Sequence, residues 1–107
     1  MTAAPEVGDI PAELADDAVL ARDQMIQSLA DVDDSIAEKY LEGQAIAEAD
    51  LVAALRKATI AVKLVPVLAG TALRNKGIHP LLDAVIAYLP SPLDVPPVHG
   101  VDPKDTE

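Results

Sequence analysis

Eight apolar residues, Leu14, Ala18, Ala21, Met25, Leu29, Val32, Ile36 and Tyr40, recur at intervals of four, three, four, four, three, four and four. A strand would need alternation with period two, whereas this spacing keeps all eight on one side of an α-helix. At about 1.5 Å per residue, an unbroken helix from Ala12 to Leu41 would be a rod of roughly 45 Å. Asp31-Val32-Asp33-Asp34-Ser35 interrupts good helix formers with good caps, so the pattern fits either that rod or a bend with a second helix starting near Asp33. Asp9 is a cap candidate, with Pro11 in the first turn, and Gly43 ends the element.

A chain of 107 residues has room for one ordinary domain. Alanine supplies 19 of its residues and the only aromatics are Tyr40 and Tyr88, so the core is expected to be aliphatic and helical. A second amphipathic helix is expected from Ala47 to Ile60, with Leu51, Ala54, Leu55, Ala58 and Val62 inward. Glu48 and Asp50 near its start and Arg56 and Lys57 further along follow the order the helix dipole favours.

Lys63 to Leu68 is nearly continuous in hydrophobicity and reads as a strand buried on both faces, with Pro66 near its start or at an unpaired position. Gly70 and a loop, Thr71 to Gly77, come next; Pro80 then opens a helix from Leu81 to Tyr88. Leu89 to Pro97 is too proline-rich for regular structure and reads as a linker. A strand buried on both faces needs neighbours, and no second strand is evident. Either an edge hairpin is hidden in the pattern or the sheet lies outside this chain.

The net charge of −10 disfavours clamping a nucleic-acid backbone, so no direct nucleic-acid binding is expected. The charge is also segregated: residues 1 to 50 hold 13 acids and 2 bases, whereas residues 51 to 107 hold 5 acids and 6 bases. Arg56, Lys57, Lys63, Arg74 and Lys76 fall in a stretch without an acid, which points to two different surfaces. With no cysteine there is neither a disulfide framework nor a thiolate metal site, and no metal site is expected. No signal-like run follows Met1, and the apolar patches fall far short of the roughly 20 residues that span a bilayer. A soluble chain is expected, with no membrane partner, in the cytoplasm or in an organelle matrix after processing.

The search for catalytic motifs returns negatives: no P-loop, no Gly-x-Gly-x-x-Gly, no His-Glu-x-x-His and no cysteine nucleophile. No catalytic residue is assigned. His79 and His99 read as solvated side chains. Asn75-Lys76-Gly77-Ile78 imitates the guanine-reading Asn-Lys-x-Asp box, but Ile78 stands where the carboxylate that binds the base is needed.

Six blocks carry a resemblance: Asp9 to Ala12, Glu38 to Gly43, Ala54 to Ile60, Asn75 to Gly77, Leu81 to Val85 and Tyr88 to Pro97. In order and spacing they resemble bacterial or organellar elongation factor G, the GTPase that drives ribosomal translocation, from about residue 9 to residue 103. The Tyr88 to Pro97 block is the most specific. The fold class this implies is mostly α with a short β segment, a fragment of an α/β P-loop GTPase domain. Residues 1–8 would be a disordered lead-in and 9–61 the helical inserted subdomain. Residues 62–89 would be the last strand, guanine loop and last helix of the GTPase domain, and 90–107 a proline-rich linker toward the next domain. The absent portion of the domain would supply the missing sheet.

The resemblance implies two functional surfaces. Gly70, Thr71, Ala72 and Leu73 match the family's guanine box, usually Gly-Ser-Ala-Leu, in which a backbone N–H, here that of Ala72, donates to the guanine carbonyl. Thr71 replaces the usual serine and keeps the hydroxyl. The second surface is acidic: on a continuous helix advancing about 100° per residue, Glu13, Asp16, Asp23, Asp31, Asp34 and Glu38 cluster opposite the apolar stripe. In the family this helix faces the basic C-terminal domain of the ribosomal stalk protein, at positions matching Gln27, Asp31 and Asp34, and Gln27 removes one of three charges. The implied partners are the ribosome, that stalk domain and the rest of the GTPase domain. The parent protein uses GTP and Mg²⁺. The isolated chain, without P-loop or switch segments, is expected to bind neither and to hydrolyse nothing. The alternatives are a stand-alone acidic helical adaptor for a basic partner, and a fragment of a paralogous ribosomal-protection GTPase.

Overall fold

A computed structural model describes residues 6–102. The expected lead-in at 1–8 and the linker at 90–107 therefore lie partly outside the described residues. Among the described residues four α-helices follow one another: α1 (Ala15–Ala30), α2 (Asp34–Leu41), α3 (Glu48–Ile60) and α4 (Ile78–Tyr88). Short 3-10 turns at Ala12–Leu14 and Ala72–Arg74 complete the regular structure.

The long amphipathic pattern is broken at Asp31–Asp33. The Asp33 carboxylate ends it, because its Oδ1 accepts from the N–H groups of Ser35 (3.1 Å) and Ile36 (3.2 Å), the unsatisfied donors of the next helix. Asp9 does not cap the first helix as its sequence position suggested. Pro11 precedes the 3-10 turn and no side chain caps it. Gly43 closes α2 with φ +66°, which lets the Gly43 and Gln44 N–H groups reach back to Tyr40 and Lys39.

Leu29, Ile36, Leu51 and Ala54 are buried together where α1, α2 and α3 meet, with Ile26, Ala30, Ile46, Leu55 and Leu64 against them. Ala58 is buried on the same side of α3. The N-terminal half of the predicted stripe stays open: Leu14 is 50% exposed and Met25 42%, because no described element covers that end of α1. Val62, expected inward, is 86% exposed. It occupies the turn that ends α3 with φ +57°, a left-handed backbone unfavourable to a β-branched residue.

The predicted strand at Lys63–Leu68 is not one. The segment carries no ladder, and the only β-type pairing among the described residues is the single bridge Thr71 to Lys76. Its apolar side chains have the right composition, but an isolated extended segment cannot satisfy its own backbone groups, and Pro66 removes one donor. The final helix begins at Ile78, earlier than Leu81, with Pro80 inside its first turn, where an N–H is not needed.

The molecule is a thin slab, 71 × 45 × 17 Å, with a radius of gyration of 19.2 Å. A compact chain of about this length would have a radius near 13 Å. The excess reflects the second half, in which α4 buries no residue at all.

Candidate functional site

The loop after the extended segment is shaped by two glycines meeting backbone to backbone. A Cβ on Gly77 would lie 3.2 Å from the Cα of Gly70, and one on Gly70 would lie 3.0 Å from the Lys76 carbonyl oxygen. Gly77 also has φ +79°, so both the close approach and the conformation call for glycine. Within the loop, Thr71 and Lys76 exchange backbone hydrogen bonds of 2.9 and 3.0 Å, and Asn75 takes a left-handed conformation that turns the chain.

Gly70, Thr71, Ala72 and Leu73 are therefore held together at the surface of one small hairpin-like loop. Leu73 is 98% exposed. Gly70 and Ala72 face a hollow of about 120 Å³ completed by Leu68, Ala69, Gly77, Ile78 and Leu81. Its walls are backbone and aliphatic side chains. It offers no phosphate cradle, and among the described residues no group of three or more His, Asp or Glu is placed to hold a metal ion.

The second candidate surface is less uniform than its sequence pattern. Asp31 and Asp34 are both exposed and flank the break between α1 and α2, one at the C-terminal cap of α1 and the other at the first position of α2. Among the described residues neither carboxylate is in an ion pair. Gln27 lies one helical turn before Asp31 and is turned inward along the surface: its amide donates to Asp23 Oδ2 (2.7 Å) and to the Tyr40 hydroxyl (3.0 Å). Asp23 also accepts from that hydroxyl at 3.3 Å, so it faces α2 and leaves the outward acidic stripe. Because the helix breaks at Asp33, Asp34 and Glu38 belong to a separate helix, and the continuous stripe from Glu13 to Glu38 is two shorter patches.

Between those patches and α3 lies a polar cleft of about 240 Å³, lined in part by Asp33, Ser35, Lys39, Asp50 and Lys57. Asp33 is the buried carboxylate here. Its hydrogen bond from the Ser35 hydroxyl (2.6 Å) is the main cause of a pKa below the usual carboxylate range, opposed by burial and reinforced by the Ile36 N–H and Lys57. Lys57 reaches its Oδ2 at 3.3 Å, and Lys39 pairs with Asp50 at 2.5 Å. These contacts tie α2 to α3 and behind them stand Asp31 and Asp34, so the acidic corner is presented on a braced frame.

A third feature escapes motif reading. On the far side, Val62, Leu64, Val65, Pro66, Leu68, Leu81, Ala84, Val85, Tyr88 and Leu89, with Thr59, line an apolar groove of about 340 Å³. The signal was present as the unusually continuous hydrophobicity of Lys63 to Leu68.

These surfaces sit on a chain whose relatives are translation elongation factors. No protein-family model matches it. The particular relatives are elongation factor G: the chain is 55% identical over 102 residues to elongation factor G 2 of Syntrophus aciditrophicus and 56% identical over 102 residues to elongation factor G of Thermotoga maritima, in each case across 95% of its own length. It is 58% identical over 94 residues to elongation factor G 2 of Geobacter metallireducens. The chain spans only about 15% of the length of these curated relatives. It is a homologue of elongation factor G, consistent with a fragment of that factor. No helix among the described residues is long and apolar enough to cross a membrane.

Proposed function

We propose that this chain is the part of a ribosomal translocation GTPase that carries the inserted helical subdomain, residues 9–61, and the end of the nucleotide domain, residues 62–89. The observation that carries this reading is identity above one half with elongation factor G across nearly the whole chain. The geometry supports it in two ways. The apolar groove is the face on which the remainder of a GTPase domain would pack, and its extended wall, Lys63–Leu68, is the strand such a sheet would complete. The glycine-closed loop is of the kind that lets a backbone N–H approach a base.

In this reading Gly70, Thr71, Ala72 and Leu73 touch guanine through the Ala72 N–H once the rest of the domain supplies the phosphate and Mg²⁺ sites. The isolated chain binds no guanine nucleotide measurably, since one backbone donor cannot hold a triphosphate. A calorimetric titration with GTP tests this, and saturable micromolar binding overturns it. The coding sequence upstream is expected to continue in frame into a P-loop.

Gln27, Asp31 and Asp34 form the stalk-facing corner, where opposite charges accelerate encounter and give weak, salt-sensitive binding. Titrating the stalk protein's basic C-terminal domain into the chain is expected to show association that weakens with salt and is reduced in both Asp31→Lys and Asp34→Lys. Unchanged binding in both variants removes the electrostatic contact. The exposed acidic corner also suits a stand-alone adaptor for a basic partner, and a coding region that starts and stops around these residues would favour that second reading.

A further inference from the structure

We propose that Arg56 is an opening clip that sets the direction in which the chain leaves α4, coupling the three-helix unit to the proline-rich segment that follows. Arg56 lies on α3, yet its guanidinium reaches across to the end of α4. There Nη1 donates to the carbonyl oxygens of Ile86 (3.3 Å), Ala87 (3.1 Å) and Leu89 (3.0 Å). Terminal carbonyls of a helix have no partner within it and carry the negative end of its dipole, so a cation there is favourable. The other arm of the same guanidinium, Nη2, donates to Asp94 Oδ2 at 2.8 Å.

Asp94 is prepared for this contact. The Ser91 N–H donates to its Oδ2 at 2.7 Å, the Asp94 N–H returns to the Ser91 carbonyl at 3.0 Å, and the Leu93 N–H donates to the Ser91 hydroxyl at 3.3 Å. The carboxylate therefore sits at the closed end of a tight turn, Ser91 to Asp94, and one side chain fixes both the end of α4 and that turn against α3. Only a planar fork with several donors can grip both at once, and an ammonium acts as a single point. Beyond the turn, Val95-Pro96-Pro97 favours stiff extended backbone, so an angle set at Asp94 is carried outward like a lever.

The clip is placed to open. The side chains of Arg56 and Asp94 retain 32% and 31% of their accessibility, so water and salt compete for both. At this end of α4 Ile86 and Leu89 are exposed and Ala87 and Tyr88 only half-buried, so the arginine's hydrogen bonds are a polar tie to α3 that no fully buried side chain backs up. Clipped, the segment after Leu89 points one way; released, it swings about Pro90.

The chain has no cysteine, so spin labels can be placed at Gln24→Cys on α1 and Val98→Cys beyond the prolines, both exposed positions. Pulsed electron–electron distance measurements on the full chain are expected to give one narrow distribution. Asp94→Asn and Arg56→Gln should each broaden it at least about twofold, as expected when a flexible joint replaces a fixed one, with Arg56→Lys between them. Raising the salt should broaden the parent and leave Asp94→Asn unchanged. Equal widths in the parent and both variants, or a broad distribution in the parent at low salt, overturn the proposal. Asp94 lies in an exposed turn away from the core, so if Arg56→Gln loses helix by circular dichroism, the Asp94→Asn result decides.

Discussion

The two halves of this chain use similar proportions of apolar residues to opposite ends. In the first, α1, α2 and α3 close on Leu29, Ile36, Leu51 and Ala54, and polar contacts from Asp33, Lys39 and Lys57 seal the joint. In the second, Val65, Val67, Leu81, Leu82, Val85 and Ile86 are all exposed, and α4 buries nothing. Apolar content alone does not make a core: the first half has three mutually facing helices, whereas the second has one helix and one extended segment with a groove between them. The difference separates the part of the fold that buries its apolar side chains from the part that leaves them exposed.

The sharpest way to break this contrast is to cut matching residues from the two halves. Leu29→Ala is expected to destabilise by about 2–5 kcal/mol, enough to dissolve so small a core, whereas Ile86→Ala should cost less than about 0.5 kcal/mol. Denaturant unfolding followed by far-ultraviolet circular dichroism measures both, and similar losses would mean that the second half is packed after all. Next in size, Gly77→Val forces a β-branched side chain into a left-handed conformation and against Gly70, at a cost of about 1–3 kcal/mol confined to the loop. Faster amide exchange at Thr71 and Lys76, with the first half unaffected, is the expected signature.

Asp33→Ala should cost about 1–2 kcal/mol through loss of the α2 cap, and Asp33→Asn clearly less because an acceptor remains. Its pH dependence has a definite sign. The native carboxylate has a pKa lowered from 3.8, so its stabilisation is complete above that value and is lost as the pH falls toward the lower native one. In acid titrations the stability difference between the parent and Asp33→Asn should be constant above that window and shrink within it as the parent's carboxylate is protonated. Smallest of all, Val62→Gly should stabilise by about 1 kcal/mol or less, since relief of the left-handed strain is partly offset by the entropy that glycine loses on folding.

What was legible in the sequence follows the same boundary. The α3 helix, the stop at Gly43 and the helix containing Pro80 are local matters, and their residues announce them. The choice between a continuous rod and a break at Asp33 was visible as a choice, and the hydrogen bonds from Ser35 and Ile36 decide it. Periodicity assumed a partner for every apolar position, so it misplaced Leu14, Met25 and Val62, for which none is present among the described residues. It made a strand of Lys63–Leu68 because side-chain pattern reports burial in a sheet, while the ladder depends on another segment. The loop from Gly70 to Leu73 was singled out by resemblance, and only the structure explains why Gly70 and Gly77 belong together. Helical geometry overcounted the acidic face, since Asp23 turns to Tyr40, and no spacing rule connects Arg56 with Asp94 across 38 positions.

Pro66 has a consequence for the solution behaviour of the chain. An extended run with Val65, Val67 and Leu68 exposed, such as Leu64-Val65-Pro66-Val67-Leu68, would otherwise be a template for edge-to-edge pairing between copies. The proline deletes the N–H at its centre and fixes φ, so an incoming strand meets a gap in the ladder after two residues. Pro66 is thus expected to limit pairing of this segment with a second copy, whatever other strand it meets.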